Sequence, residues 1–292
     1  MAKKILIHFL ALIVFLFCAG PLLLTLFGGI IPDAALLSYP PKWFSMKPSF
    51  AYYKYIFFGV VPSAYEERGA MRSMITEEAR QIPHSMMNSA IIAFSVMGIN
   101  ILFGGMASFA FARIRFKGKS ATFMGIVMCR LLPAAAFVVP FYLIVQSLGL
   151  LDTKIAIIMV HSILTLPFTV LILSVFFRRI PVDIDEAATV DGASRPQIFI
   201  KITLPLSAAS IVATGLFAFM LSYSEFLYSL ILSGTNKTRT LSVAMAALST
   251  NTDVAWGMLM AGIFISLIPS LILAILVWKF VVEGIILGAV KY

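Results

Sequence analysis

Arg178-Arg179-Ile180-Pro181-Val182-Asp183-Ile184-Asp185-Glu186-Ala187-Ala188-Thr189-Val190-Asp191-Gly192-Ala193-Ser194-Arg195-Pro196-Gln197-Ile198-Phe199-Ile200-Lys201-Ile202-Thr203-Leu204, followed by Pro205, is a charged connection between two apolar runs. It reads as two short helices about a tight turn. Asp183 followed by Glu186 is a capping-box-like start. Ile184 to Val190 then supplies about two helical turns. Gly192 follows, where a left-handed residue ends a helix at least cost. Ser194 and Gln197 make a second capping box, with Pro196 in the first turn, where a missing amide hydrogen costs nothing. Pro205 closes the unit. Ala187 and Ala188 are small, so one side of the first helix can enter a groove closely. Glu186, Asp191 and Arg195 stand ready for charged contacts at the rim. The shape expected is a rigid knob for a moving partner.

The rest of the chain says where this knob sits. Of 292 residues, 61% are hydrophobic and 12% charged, against roughly 25% charged in soluble domains. Mean hydropathy is +1.00. A water-soluble fold of this length cannot hide so much apolar surface, so most of the chain is expected in lipid. The net charge of +9 then belongs to basic residues flanking membrane spans, and nucleic acid is not an expected partner.

A spanning helix needs about 20 apolar residues. Six candidates occur, at 5–31, 88–112, 120–148, 153–177, 205–234 and 257–282, so the expected fold is an all-α membrane protein with six transmembrane helices. The first run is too long for a secretory leader, whose apolar core is about 7–15 residues, and reads as a retained span. Spans three to five carry Arg130, Pro133, Pro140, His161, Pro167 and Glu225. Lipid cannot satisfy what such residues leave open, so these three spans are expected to line the pathway and the other three to form the scaffold.

Short loops set orientation. Arg113, Arg115, Lys117 and Lys119 lie between spans two and three, and Arg178, Arg179, Arg195 and Lys201 between spans four and five. The alternate loops hold only Lys154, and Lys237 with Arg239. Both termini and the 178–204 loop are therefore expected in the cytoplasm. The segment 32–87 is then external, and its six basic and five acidic residues do not oppose this, because long loops translocate largely regardless of charge. An amphipathic stretch at 63–83 reads as helical.

Cys18 and Cys129 lie in apolar runs and read as small buried side chains. His8, His84 and His161 have no partner at metal-ligand spacing, so no metal site is expected. His161 reads as a satisfied packing histidine, and Arg130 as snorkelling toward the cytoplasmic surface. Glu225, with Tyr223, Ser224 and Tyr228 beside it, is the candidate substrate pathway: aromatic faces beside polar groups suit sugars. Gly118-Lys119-Ser120 resembles the end of a P-loop, but Arg113 occupies the place of its first glycine.

Glu186-Ala187-Ala188, Asp191-Gly192-Ala193, Ile202 and Leu204-Pro205 together resemble the EAA loop of bacterial ABC importer permeases. The resemblance extends to Asn88-Ser89, to Phe109-Ala110-Phe111-Ala112-Arg113 and to Phe116-Lys117-Gly118. The tail from Glu283 to Lys291 is similar to the carbohydrate branch, the maltose-type second permease. So is Tyr223-Ser224-Glu225-Phe226, although a serine stands in place of that branch's usual asparagine. The segment 32–87 is longer than the branch usually carries, which would suit an oligosaccharide or polysaccharide fragment.

The resemblance implies a multi-pass protein of the bacterial cytoplasmic membrane, paired with a second homologous permease. It implies two ATP-binding subunits beneath the pair, which hold ATP and magnesium and hydrolyse the nucleotide in this chain's stead. It also implies an external solute-binding protein. Glu186, Ala187, Ala188, Asp191, Gly192 and Arg195 would couple to an ATP-binding subunit. The competing classes are an ion-gradient-driven secondary transporter, for which no internal repeat is visible, and a permease for amino acids or polyamines.

Overall fold

The computed structural model describes residues 2–40, 42, 47–62, 77–131, 133–250 and 255–289. Most of the stretch expected as an amphipathic helix at 63–83, and the last residues of the C-terminal tail, lie outside these. Among the described residues every regular element is helical. The chain divides into two compact units, Met1–Met86 with Val243–Ile268, and Met87–Ser242 with Pro269–Tyr292.

In the first unit, α1 (Ala2–Gly28) is apolar almost throughout, and Ile5 to Leu16 lie exposed along it. An apolar face of this length is at home in lipid or against another apolar surface, not in water. Its end packs tightly: a Cβ on Gly28 would stand against the Met260 side chain, and one on Gly29 only 3.0 Å from the Ala261 backbone. Two short helices follow, α2 (Asp33–Leu36) and α3 (Ala51–Phe58). Asp33 Oδ1 accepts from the Gly257 amide at 2.7 Å. This places a carboxylate at the start of the long last helix, where it satisfies an amide that helix leaves open.

The second unit is built on α4 (Ile82–Arg113) and α7 (Lys154–Arg178). Thr153 caps α7 by accepting the Ala156 amide at 3.2 Å. A polar seam joins the two helices. Asn100 donates to Thr165 Oγ1 at 2.8 Å and accepts from Thr169 Oγ1 at 3.0 Å. Ser108 Oγ donates to the Val170 carbonyl at 3.2 Å. Here α4 widens into a π-turn, Asn100–Gly104, and Gly104 lets the helices approach closely.

The remaining spans are less regular than hydropathy implies. The expected third span, 120–148, is two helices, α5 (Lys119–Met128) and α6 (Ala134–Ser147), not one. The chain is extended at Pro133, which cannot donate an amide hydrogen. Alone, α6 is too short to cross a ~30 Å hydrocarbon core at ~1.5 Å per residue. The expected fifth span, 205–234, begins later, as α10 (Ala208–Tyr223), after an 84° bend from α9 (Arg195–Leu206). It breaks again before α11 (Leu227–Leu232). The last helices are α12 (Leu241–Ser249) and α13 (Trp256–Ala289). Among the described residues, four helices are thus long and apolar enough to cross a membrane, or five with the bent pair counted as one span. Cys18 and Cys129 are free and exposed, not buried. Cys18 lies on the apolar helix α1, and Cys129 in the turn that ends α5.

Candidate functional site

Between α7 and α9 stands α8 (Val182–Val190), so the loop is helix, turn, helix. Its start differs from expectation: Pro181 is the N-cap, and no side chain caps the helix. Asp183 lies instead inside the first turn, where its charge meets the helix dipole. The turn follows the expected chemistry. Gly192 has φ +81°. The Ala193 amide donates to the Ala188 carbonyl at 2.9 Å and the Gly192 amide to the Thr189 carbonyl at 3.1 Å. These are the two bonds of a Schellman stop. The second helix opens with Gln197 Oε1 accepting from the Ser194 amide at 2.7 Å and from its hydroxyl at 3.0 Å.

The two alanines separate. Ala187 is exposed. Ala188 packs with Ala193 against Phe109, Leu173, Phe177 and Ile198, the apolar contact that accompanies a Schellman stop. Glu186, Asp191 and Arg195 are exposed. Glu186 and Arg195 border an open groove of about 910 Å³ that Arg115, Lys119 and Val190 also line.

One residue of this loop escapes a reading by sequence. Asp185 is 3% exposed, and its Oδ2 lies 3.2 Å from Nε of Arg113, at the end of α4. Arg113 Nη2 donates to the Ile180 carbonyl at 2.6 Å. In return Arg178 Nη2 donates to the Phe111 carbonyl at 3.3 Å.

The break after Tyr223 forms a second feature. Glu225 Oε1 accepts from the Tyr228 amide at 2.9 Å, and Oε2 from the Ser229 amide at 3.0 Å and its hydroxyl at 3.1 Å. The carboxylate thereby caps α11. His161 Nε2 lies 3.0 Å from Oε2, and His161 Nδ1 is 2.9 Å from Ser222 Oγ. A cavity of about 210 Å³ adjoins the group, lined among others by Arg130, Ala134, Thr165, Leu221 and Tyr228. Of the four pathway candidates, Glu225 and Tyr228 border this cavity. Tyr223 is buried with its ring stacked on Phe219, and Ser224 is exposed with its hydroxyl donating to the Met220 carbonyl at 2.8 Å. Tyr228 donates to the Ala134 carbonyl at 2.6 Å, which ties the two broken spans together. Arg130 stands exposed at the break of the third span, 5.7 Å from the Phe168 ring.

Residues 100–285, which include both features, match the family described as binding-protein-dependent transport system inner membrane component. The chain belongs to that family. Among the permease's relatives, the trehalose/maltose transport system permease protein MalG of Thermococcus litoralis is 32% identical over 219 residues, 75% of this chain and 79% of that protein. The diacetylchitobiose uptake system permease protein DasC of Streptomyces coelicolor is 27% identical over 260 residues, 89% of this chain and 87% of that protein. In fold, the permease is similar to a chain of a bacterial ABC transporter involved in the import of the acidic polysaccharide alginate. The TM-score is 0.72 at 20% identity, covering 95% of this chain and 96% of that one. The permease is a transport protein of the inner membrane, crossing it more than once.

Proposed function

We propose that this permease carries a sugar, an oligosaccharide or polysaccharide fragment, along a path formed with a second related permease. Two ATP-binding subunits drive the pair, and an external binding protein delivers the cargo. The observation that carries the sugar reading is the 32% identity to a trehalose/maltose permease over three quarters of the chain. The chain crosses the membrane six times with both termini in the cytoplasm. The short basic loops support that orientation, and α5 with α6 supplies the interrupted third crossing. Glu186, Ala187, Ala188, Asp191, Gly192 and Arg195 form the coupling element, and its rigid Schellman turn and exposed charges support that role. Closure of the ATP-binding subunits moves this element, and the spans shift between two states. The cavity beside Glu225 and Tyr228 lies on the path, and Tyr223 and Ser224 flank it.

The test is uptake of labelled trehalose, maltose and diacetylchitobiose into proteoliposomes holding the complete importer. Uptake is expected to need ATP and to survive collapse of the proton gradient. Uptake that stops with the gradient while ATP remains would replace this reading with an ion-driven transporter. A binding protein that takes basic amino acids or polyamines and no sugar would overturn the cargo.

A further inference from the structure

The loop between α7 and α10 is joined to the permease in two ways. One is the chain itself, which leads from α7 through residues 179–181 into α8 and from α9 into α10. The latter connection is not straight: it passes through a π-turn, Phe199–Thr203, and then bends by 84° at Ser207. The other route is a set of side-chain contacts, polar ones beside the apolar packing of Ala188 and Ala193 against Phe109, Leu173 and Phe177. Asp185 meets Arg113 at 3.2 Å, with both side chains 4% exposed. Arg113 also reaches the Ile180 carbonyl, and Arg178 reaches back to the Phe111 carbonyl. The ends of α4 and α7 thus hold each other's backbones, and α8 is pinned to α4 by a buried charge.

This second route is stiff. Removing one partner from a buried ion pair leaves the other charge stranded in a dry site, so the pair resists opening. The same two helices stay joined deeper in the membrane through Asn100, Thr165, Thr169, Ser108 and the Val170 carbonyl. A displacement of α8 therefore meets, on one side, a body joined by a buried ion pair and by hydrogen bonds between α4 and α7, and on the other a bend.

We infer that Asp185 and Arg113 are positioning residues that make α8, α4 and α7 move as one body, so that the motion of the coupling element enters the second and fourth spans directly. This rests on the coupling role assigned to α8 above. Exposed Glu186 touches the partner; buried Asp185 transmits.

Distances within the assembled importer test this. Cys18 and Cys129 are replaced by serine, and nitroxide labels are placed on Val190, 87% exposed on α8, and Met106, 52% exposed on α4. Pulsed electron resonance is recorded without nucleotide and with ATP bound to hydrolysis-blocked ATP-binding subunits. The wild-type distance is expected to be the same in both states, and Asp185→Asn to split it into two state-dependent distances. A wild-type distance that shifts with ATP overturns the inference, and this arm needs no change in the clamp, so a poorly assembling Asp185→Asn cannot obscure it. ATP hydrolysis stimulated by the loaded binding protein is measured in parallel for Glu186→Lys. Loss there together with a shifting wild-type distance sinks the clamp and leaves the coupling role standing. Full stimulation in Glu186→Lys removes the coupling role itself.

Discussion

His161 Nε2 lies 3.0 Å from Glu225 Oε2 within the membrane-spanning region, with the two side chains 1% and 17% exposed. The carboxylate also accepts two amides and a hydroxyl at the start of α11. With Nε2 donating to Glu225, His161 Nδ1 can accept from Ser222. The group is a helix cap and a cross-link at once. Glu225→Ala is expected to destabilise the permease by about 2–4 kcal/mol, a lost cap together with buried donors left unmet. Glu225→Gln keeps one acceptor and should cost about half as much. Thermal melting of the detergent-purified importer separates the two. Equal stability of Glu225→Ala and wild type would show that the cap carries no weight.

Asp152 supplies a pH-dependent term outside the spans. It sits before α7 with φ +56°, a conformation that aspartate tolerates better than most residues. Its carboxylate accepts from the Thr238 hydroxyl, from the Thr235 hydroxyl at 2.7 Å, and from the Gly234 and Thr235 amides at 3.0 and 3.1 Å. The Thr238 hydroxyl holds the carboxyl below its ordinary value of 3.8; burial opposes this, and the other three donors reinforce it. On acidification the unfolded chain therefore takes up the proton first. The stabilisation is complete above about pH 4 and is lost as pH falls through the lower folded value. Melting points of wild type and Asp152→Asn should differ by a constant amount from pH 7 to about pH 5 and converge below about pH 4. A gap that persists through that range would show that the charge is not what the four donors hold.

Gly192 is the pivot of the proposed coupling element. Its φ of +81° costs a residue with a Cβ about 1–2 kcal/mol, and proline cannot adopt it at all. Gly192→Asn is expected to transport near the wild-type rate, Gly192→Ala more slowly. Gly192→Pro should abolish stimulated ATP hydrolysis while the chain still inserts. Membrane fractionation alongside hydrolysis assays checks both halves. Stimulation at the wild-type level in Gly192→Pro would remove the turn from the mechanism.

What the sequence makes legible here is what acts over short range. Gly192, Ser194, Gln197 and Pro196 each work within four residues, so the turn and the second helix can be read off directly. Asp183 misleads because Pro181 already starts the helix with its fixed φ, and the carboxylate moves inside. Asp185 is not legible, because its meaning lies in Arg113 on another helix. The same holds for His161 and Glu225, whose polar groups look isolated until α7 and α11 are placed side by side. The third span shows the opposite failure. Apolar residues dominate 120–148 on both sides of Arg130 and Pro133, and an average over the stretch sums across the break, whereas the backbone must be paired residue by residue. Small size at Ala188 reads from the sequence as room for a partner, but the structure shows the apolar contact that closes the Schellman stop, a use that composition alone does not separate from the first.

Gly104 gives the most direct check on the packing of α4 against α7. A Cβ there would stand 2.7 Å from Thr169 Cγ2 and 3.3 Å from Thr169 Cβ. Thr169 is fully buried, and its hydroxyl donates to Asn100 Oδ1. It cannot swing away without opening the polar seam. Gly104→Ala is therefore expected to cost about 1–3 kcal/mol, the usual range for overpacking. The offending atom is a single methyl group, so adding Thr169→Ser removes it and keeps the hydroxyl. The double variant should recover most of the lost stability, although Thr169→Ser alone loses a little packing. Melting of the four proteins as a double-mutant cycle measures the coupling. Additive costs would mean that Gly104 and Thr169 do not meet, and that the seam is held together by something other than this close approach.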